Sequence, residues 1–177
     1  MITERLQPGL KVIFIGFNPS LTSYARGYNY AGRNNRFYRI LYETGLTDRL
    51  YRPEESPHLI DVGYGFTNIV SRPTKRAADI RPEEYDVGRR LLCEKLEQFQ
   101  PTVACFVGKG VYTQFARKRG SDVLWGFQRE GVVAGVRDFV GPSSSGLVRM
   151  KLAEQVAIYA ELARFLTEQT KSGATDR

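Results

Sequence analysis

With 177 residues, 42% of them hydrophobic, the chain has the length of one compact domain and enough apolar material for a core. Its net charge of +7, from 26 Lys+Arg against 19 Asp+Glu, favours a polyanionic partner. No run approaches the about 20 apolar residues of a membrane span, MITERLQPGL has no signal-peptide core, and Cys93, Cys105 and His58 have no metal or disulfide spacing, so a cytoplasmic protein without a metal is expected.

In chain order, KVIFIG at 11–16 reads as a strand buried on both faces, the mark of a parallel sheet. Residues 34–44 carry Phe37, Ile40, Leu41 and Thr44 on one helical stripe, with Gly45 placed as a C-cap. Residues 51–63 hold three turn signals and read as loop. GFTNIV at 65–70 reads as a short strand ended by SRPT. Residues 82–99 form the clearest helix. Pro82 suits its first turn, Glu83 and Glu84 its dipole, and Val87, Leu91, Leu92, Leu96 and Phe99 one face.

TVACFV at 102–107 is a second buried strand, and Gly108 leads into a helix over about 109–118. Residues 131–140 suggest one or two short strands, GPSSSG a loop, and 148–166 a last helix before a frayed tail, TKSGATDR. Alternating strands and helices give an α/β class with a mainly parallel sheet, in one domain spanning 1–177 with its core at about 10–166. Ligands of such sheets bind beyond the carboxyl ends of the strands, which puts GFNPS, SRPT, Gly108 and GPSSSG on one rim.

The nucleotide and hydrolase signatures GxGxxG, GxxxxGK[ST] and GxSxG are absent, as is the H-x-E with P-C-x-x-C of a zinc deaminase. What the rim carries instead is amides and hydroxyls: Asn18, Asn68, Thr74, Ser143, Ser144 and Ser145, with Tyr30 among glycines and cations at Arg26, Arg33, Arg36 and Arg39. Each has a plain structural reading. Asn18 before Pro19 is an ordinary turn residue, Thr74 a helix cap, Tyr30 a core ring, and Leu147 a hydrophobic staple for the last helix.

Together these segments resemble the mismatch-specific uracil-DNA glycosylases, which include the thymine-DNA glycosylases. GFNPS resembles their GINPG motif, NNRFYRIL their N-R/H-F-W segment, and GFTNIVSRPT their G-[FV]-T-x-[LMV]-V-x-R-[PT]-T block. GRRLLCEKLEQFQP, VGKGVY and PSSSGLVR resemble a helix, a G-K-x-x-Y segment and the DNA-penetrating loop, all in family order. The resemblance implies a three-layer α/β/α sandwich and a hydrolase that excises uracil, or thymine or cytosine adducts, opposite guanine in duplex DNA, and because no lysine is clearly placed as a Schiff-base nucleophile a monofunctional enzyme is expected. It implies no cofactor, and one domain carrying the whole site points to a monomer.

By the same resemblance Asn18 positions the water that attacks C1′ and Thr74 is the second water-orienting residue. Tyr30 stacks on the flipped base, Asn68 meets the uracil edge, Ser23 lines the pocket beside C5, Gly16 is a further substrate-binding residue, and main-chain N–H groups around Phe17 and Tyr30 assist the departing anion. Leu147 is the wedge, Gly146 allows close approach to the opposite guanine, Arg149 supports that contact, and Ser143, Ser144 and Ser145 suit phosphates. An amide orients water without removing its proton, so a slow enzyme dependent on its leaving group is expected. Two positions depart from the family pattern: Ser20 stands at its common glycine and Ser143 at the asparagine of some members. Two other readings use the same residues, a mismatch-binding module without excision and a related enzyme for hypoxanthine or single-stranded uracil.

Overall fold

The computed structural model describes residues 3–175. Five strands form one sheet in the order β2-β1-β3-β5-β4: β1 (Val12–Gly16), β2 (Tyr64–Asn68), β3 (Val103–Val107), β4 (Gly126–Phe127) and β5 (Arg137–Gly141). All pairings are parallel except that of β4 with β5. The two strands read as buried on both faces, β1 and β3, are adjacent in the middle of the sheet and bury every residue.

Side-chain alternation along these strands divides the interior in two. Ile13, Ile15, Ala104 and Phe106 face the layer of α3 (Pro82–Phe99) and α4 (Lys109–Ala116). Val12, Phe14, Val103 and Cys105 face the layer of α2 (Phe37–Glu43) and α5 (Leu152–Thr175). The result is the expected three-layer α/β/α sandwich. Cys105 lies fully buried and Cys93 half-buried, both as free thiols.

The differences from the sequence reading have local causes. The stretch 51–63 is a 3-10 helix, Pro53–Val62, because Glu55 accepts from the Arg52 N–H at 2.8 Å and caps it despite the internal Pro57. A short helix, α1 (Leu21–Arg26), was not foreseen: Ser20 caps it, its Oγ accepting from Ser23 N at 3.1 Å, and Gly27 ends it. The two short strands are β4 and β5, so one lies upstream of 131–140. The last helix starts at Leu152, not at 148, and runs on through most of the tail to Thr175; Asp176 and Arg177 lie outside the described residues.

Helix α3 has the foreseen bounds but a rotated face. Gly88, Leu92 and Leu96 are buried, whereas Val87 and Leu91 are exposed. A Cβ on Gly88 would lie 1.8 Å from the Ile69 carbonyl oxygen, so only glycine lets this helix rest directly on the backbone after β2. That contact, rather than the widest apolar stripe, sets its orientation.

Candidate functional site

The pairing of β1 with β2 continues past both strands: Ile69 N donates to Gly16 O at 3.0 Å and Val70 N to Phe17 O at 2.8 Å. This keeps the GFNPS loop and the SRPT turn side by side after the strands end. Between them and the loop after β5 opens a cavity of about 510 Å³. It lies where the chain leaves β1 and β3 toward opposite layers, the switch point at which ligands of open α/β sheets bind. All three loops line it, through Gly16–Ser20, Thr74–Ala77 and Ser143–Leu147.

Asn18 is not a local turn residue. Its Nδ2 donates to the Arg72 carbonyl at 2.7 Å and to Thr74 Oγ1 at 2.8 Å, more than fifty residues away. A carbonyl oxygen only accepts, so the Arg72 contact fixes which end of the amide is nitrogen. Both Nδ2 hydrogens are then used, and no hydrogen bond reaches Oδ1 from the described residues. Thr74 caps no helix with its side chain: its hydroxyl accepts from Asn18 and donates to Arg76 O at 2.7 Å. It fixes the amide and has no proton to spare for anything in the cavity.

The turn is tied down from outside. Arg72 makes a two-pronged contact with Glu84, Nε to Oε1 at 2.6 Å and Nη2 to Oε2 at 2.8 Å. Glu84 Oε2 also accepts from Arg81 N at 2.9 Å at the start of α3. The Arg72 guanidinium, then the Arg81 N–H, hold the Glu84 carboxyl down at about 2.

Tyr30 takes a left-handed backbone conformation, φ +51°, uncommon for an aromatic residue. It is half-buried and no plain core ring: one face stacks on Phe37, with centroids 4.0 Å apart and planes 11° apart, and the residue lines the cavity. Burial pushes its phenol well above the ordinary value. Gly16 is bare where Tyr30 and Asn68 converge. A Cβ there would lie 2.8 Å from Asn68 Oδ1 and 3.6 Å from the Tyr30 hydroxyl. Phe17 lines the wall, but its ring turns against Gly110 and Tyr85. Ser23 is buried on the wall, its Oγ accepting from Ala31 N at 3.0 Å and from Ser20 Oγ at 3.0 Å.

The loop after β5 is held by its carbonyls. Tyr159 donates to Pro142 O at 2.6 Å, Gln155 Nε2 to Ser143 O at 2.8 Å, and Arg36 N to Ser144 O at 2.8 Å. The Arg36 side chain donates to Met150 O at 2.9 Å and to Gln155 Oε1 at 3.2 Å. Gly146 lies against Asn34, where a Cβ would come within 2.7 Å of a backbone oxygen. On this clamped loop Leu147 is 95% exposed and staples nothing. Ser144 is buried, Ser143 and Ser145 half-buried, and Arg149 is exposed outside the cavity wall.

Sequence reading missed Arg36 and Gln155 as the clamp, because neither carries a local signal: Gln155 sits on a helix stripe and is fully buried. It also missed Asn29, which lines the cavity, donates to Thr3 O at 2.7 Å and leaves its buried Oδ1 without a partner among the described residues. Among the described residues the wall holds no carboxylate, imidazole or thiol, and its charged side chains are Lys75 and Arg76. Among the described residues no group of three or more His, Cys, Asp or Glu could hold a metal, and no helix is long and apolar enough to cross a membrane.

The sequence matches the family model of the uracil DNA glycosylase superfamily over residues 3–167. The chain belongs to that superfamily. Membership makes it a DNA glycosylase, a hydrolase of DNA repair whose substrate is DNA. The matched span takes in β1 to β5 and every loop of the cavity, so the glycosylase fold and this site are one unit.

Proposed function

We propose that this uracil-DNA glycosylase superfamily member is a monofunctional enzyme that excises uracil opposite guanine from duplex DNA, with thymine or cytosine adducts as further candidates. The observation that carries this reading is the Asn18 amide: both hydrogens are committed to Arg72 O and Thr74 Oγ1, and Oδ1 is open. An acceptor of fixed direction can orient one water proton and so aim a lone pair at C1′ of a flipped nucleotide. With no carboxylate on the wall, neither full proton removal nor an anionic partner for the oxocarbenium-like sugar is at hand. The rate then depends on the base as a leaving group, and uracil in a strained or mismatched pair is the favoured substrate.

The other roles follow from position. Tyr30, backed by Phe37, offers its free face to a flipped base, and Asn68 beside bare Gly16 offers an amide to the base edge. Buried Ser23 shapes the wall, and main chain at Gly16 and Phe17 bounds the anion's exit. Leu147 fills the gap in the stack, where apolar wedges offset an unstacking cost of a few kcal/mol. Gly146 brings backbone close to the opposite base with Arg149 in support, and the hydroxyls and N–H groups of Ser143, Ser144 and Ser145 meet the strand. Thr74 acts through Asn18 as a positioning residue.

The test is incubation with a labelled duplex holding one G:U pair, in EDTA, followed by alkali. A:U, G:T and single-stranded U run in parallel, with Asn18→Ala beside them. Alkali-dependent cleavage at G:U, lost in the variant, is the expected result. Cleavage without alkali would instead assign lyase chemistry to Lys75, the one lysine among the wall residues. Binding to G:U over G:C without cleavage would make the protein a mismatch-recognition module.

A further inference from the structure

The edge of the sheet that bears the cavity continues beyond it. Strand β4 runs antiparallel to β5, with Gly126 opposite Val140, so the residues before Gly126 emerge at the carboxyl end of β5, where the loop that carries Leu147 begins. They are Leu124, 72% exposed, and Trp125, 37% exposed, and neither joins either core cluster. The turn that presents them is braced: Gln128 Nε2 donates to Leu124 O at 2.8 Å and to Gly126 O at 3.0 Å. Lys109 Nζ stands 4.6 Å from the centre of the Trp125 ring. Lys109 follows Gly108, which adjoins the penetrating loop closely enough that a Cβ on it would lie 3.7 Å from Ser143 Cβ.

We infer that Leu124, Trp125 and Lys109 form a second DNA contact, which grips the sugar–phosphate backbone of the duplex beside the flipped nucleotide. The inference rests on the proposed duplex-DNA reading and extends it. An ammonium over an indole suits a phosphate next to an apolar deoxyribose face, and aromatic and cationic groups together are the usual pairing for a nucleic-acid strand. Two apolar side chains are too few for the core of a stable protein interface, which buries about 1,200–2,000 Å². The patch is also linked to the loop proposed to enter the duplex, through Lys109 and its neighbour Gly108. Three strand spacings of about 4.8 Å separate β1 from β4 along the edge, roughly 14 Å. At about 3.4 Å per nucleotide that is some four steps of one strand, within reach of a duplex seated over the cavity.

The chain has one tryptophan, so its intrinsic fluorescence reports this turn alone. The protein is saturated with a G:U duplex whose uridine carries a 2′-fluoro group to block cleavage, and saturation is set independently by anisotropy of a dye on the DNA. Acrylamide quenching of Trp125 is expected to fall by about half or more on saturation, as a contact that excludes solvent requires. Leu124→Ala, an exposed change that leaves the core intact, is expected to weaken duplex binding about 3–10-fold, and Lys109→Ala to lower the salt slope by about 1. Anisotropy that rises while quenching stays unchanged, or Leu124→Ala binding as tightly as wild type, overturns the contact. Either result leaves the excision reading standing, because that fails separately, by loss of G:U cleavage in the wild-type protein.

Discussion

Two loops leave the same edge of the sheet and treat their key side chains in opposite ways. After β1, Asn18 is held at two points on its amide nitrogen, and the turn that holds it is tied in turn by Arg72 to Glu84. After β5, every tether goes to backbone carbonyls, and Leu147 touches almost nothing. The first arrangement fixes the direction of a polar atom, which orienting a water needs. The second fixes a backbone and leaves a side chain free to enter something else. Preorganisation is thus applied at the atom in one loop and one step back from it in the other.

The sharpest way to break the comparison is to remove the held atom. Asn18→Ala is expected to lower single-turnover excision at G:U by about 10²–10³-fold, the range seen when one oriented polar group is lost, while duplex affinity changes little. Equal losses in both would mean that Asn18 supports the fold and not the chemistry. Leu147→Ala comes next. Its loss of a few kcal/mol of wedge energy corresponds to a fall of roughly tenfold or more on duplex substrate, with single-stranded uracil spared. A similar fall on both substrates would place Leu147 in the chemistry instead of the invasion.

The clamp gives a smaller effect. Gln155→Leu strands the Ser143 carbonyl and one N–H donor of Arg36, at a cost of about 1–3 kcal/mol in stability, read as a lower Tm. Duplex excision is expected to fall more than single-strand excision, since the loop loses its backing; an unchanged ratio would show that α5 serves stability alone.

The tether of Asn18 is tested by pH. The Glu84 carboxyl lies at about 2 in the fold against an ordinary 4.5, so the unfolded chain binds this proton more tightly. The pair contributes fully above about 4.5 and loses its contribution as pH falls from there through about 2. A Tm gap between wild type and Glu84→Gln at pH 6 should therefore close by pH 2, and a constant gap would remove the ion pair as its cause. Smallest is Ser20→Gly, which removes the cap of α1 for a few tenths of a kcal/mol and leaves excision unchanged.

That last case shows what was legible in the sequence and what was not. Strands β1 and β3 and the bounds of α3 could be read directly, because buried runs and a proline-led amphipathic helix are local signals. The meeting of GFNPS, SRPT and GPSSSG was also readable, from the rule that parallel strands collect their loops at one edge. The turned face of α3 was not, since it depends on Gly88 meeting the Ile69 carbonyl across the fold. The direction of the Asn18 amide, the spent proton of Thr74 and the clamp of Arg36 and Gln155 were equally hidden, because each is a contact between distant segments. Ser20, a departure from the family pattern in sequence, is an ordinary helix cap in space.

The composition of the cavity wall has one more consequence. Carboxylates shifted upward, imidazoles and thiols are groups that titrate near neutrality, and the described residues of the wall include none of them, while burial moves the Tyr30 phenol further from that range. Enzymes with a titrating base show a rate that climbs and falls with acidity. Here the single-turnover rate should instead run as a plateau through the neutral range, bounded by where the fold or the DNA fails. On the proposed mechanism, a change in a cell's proton concentration across that range would leave the rate as it was.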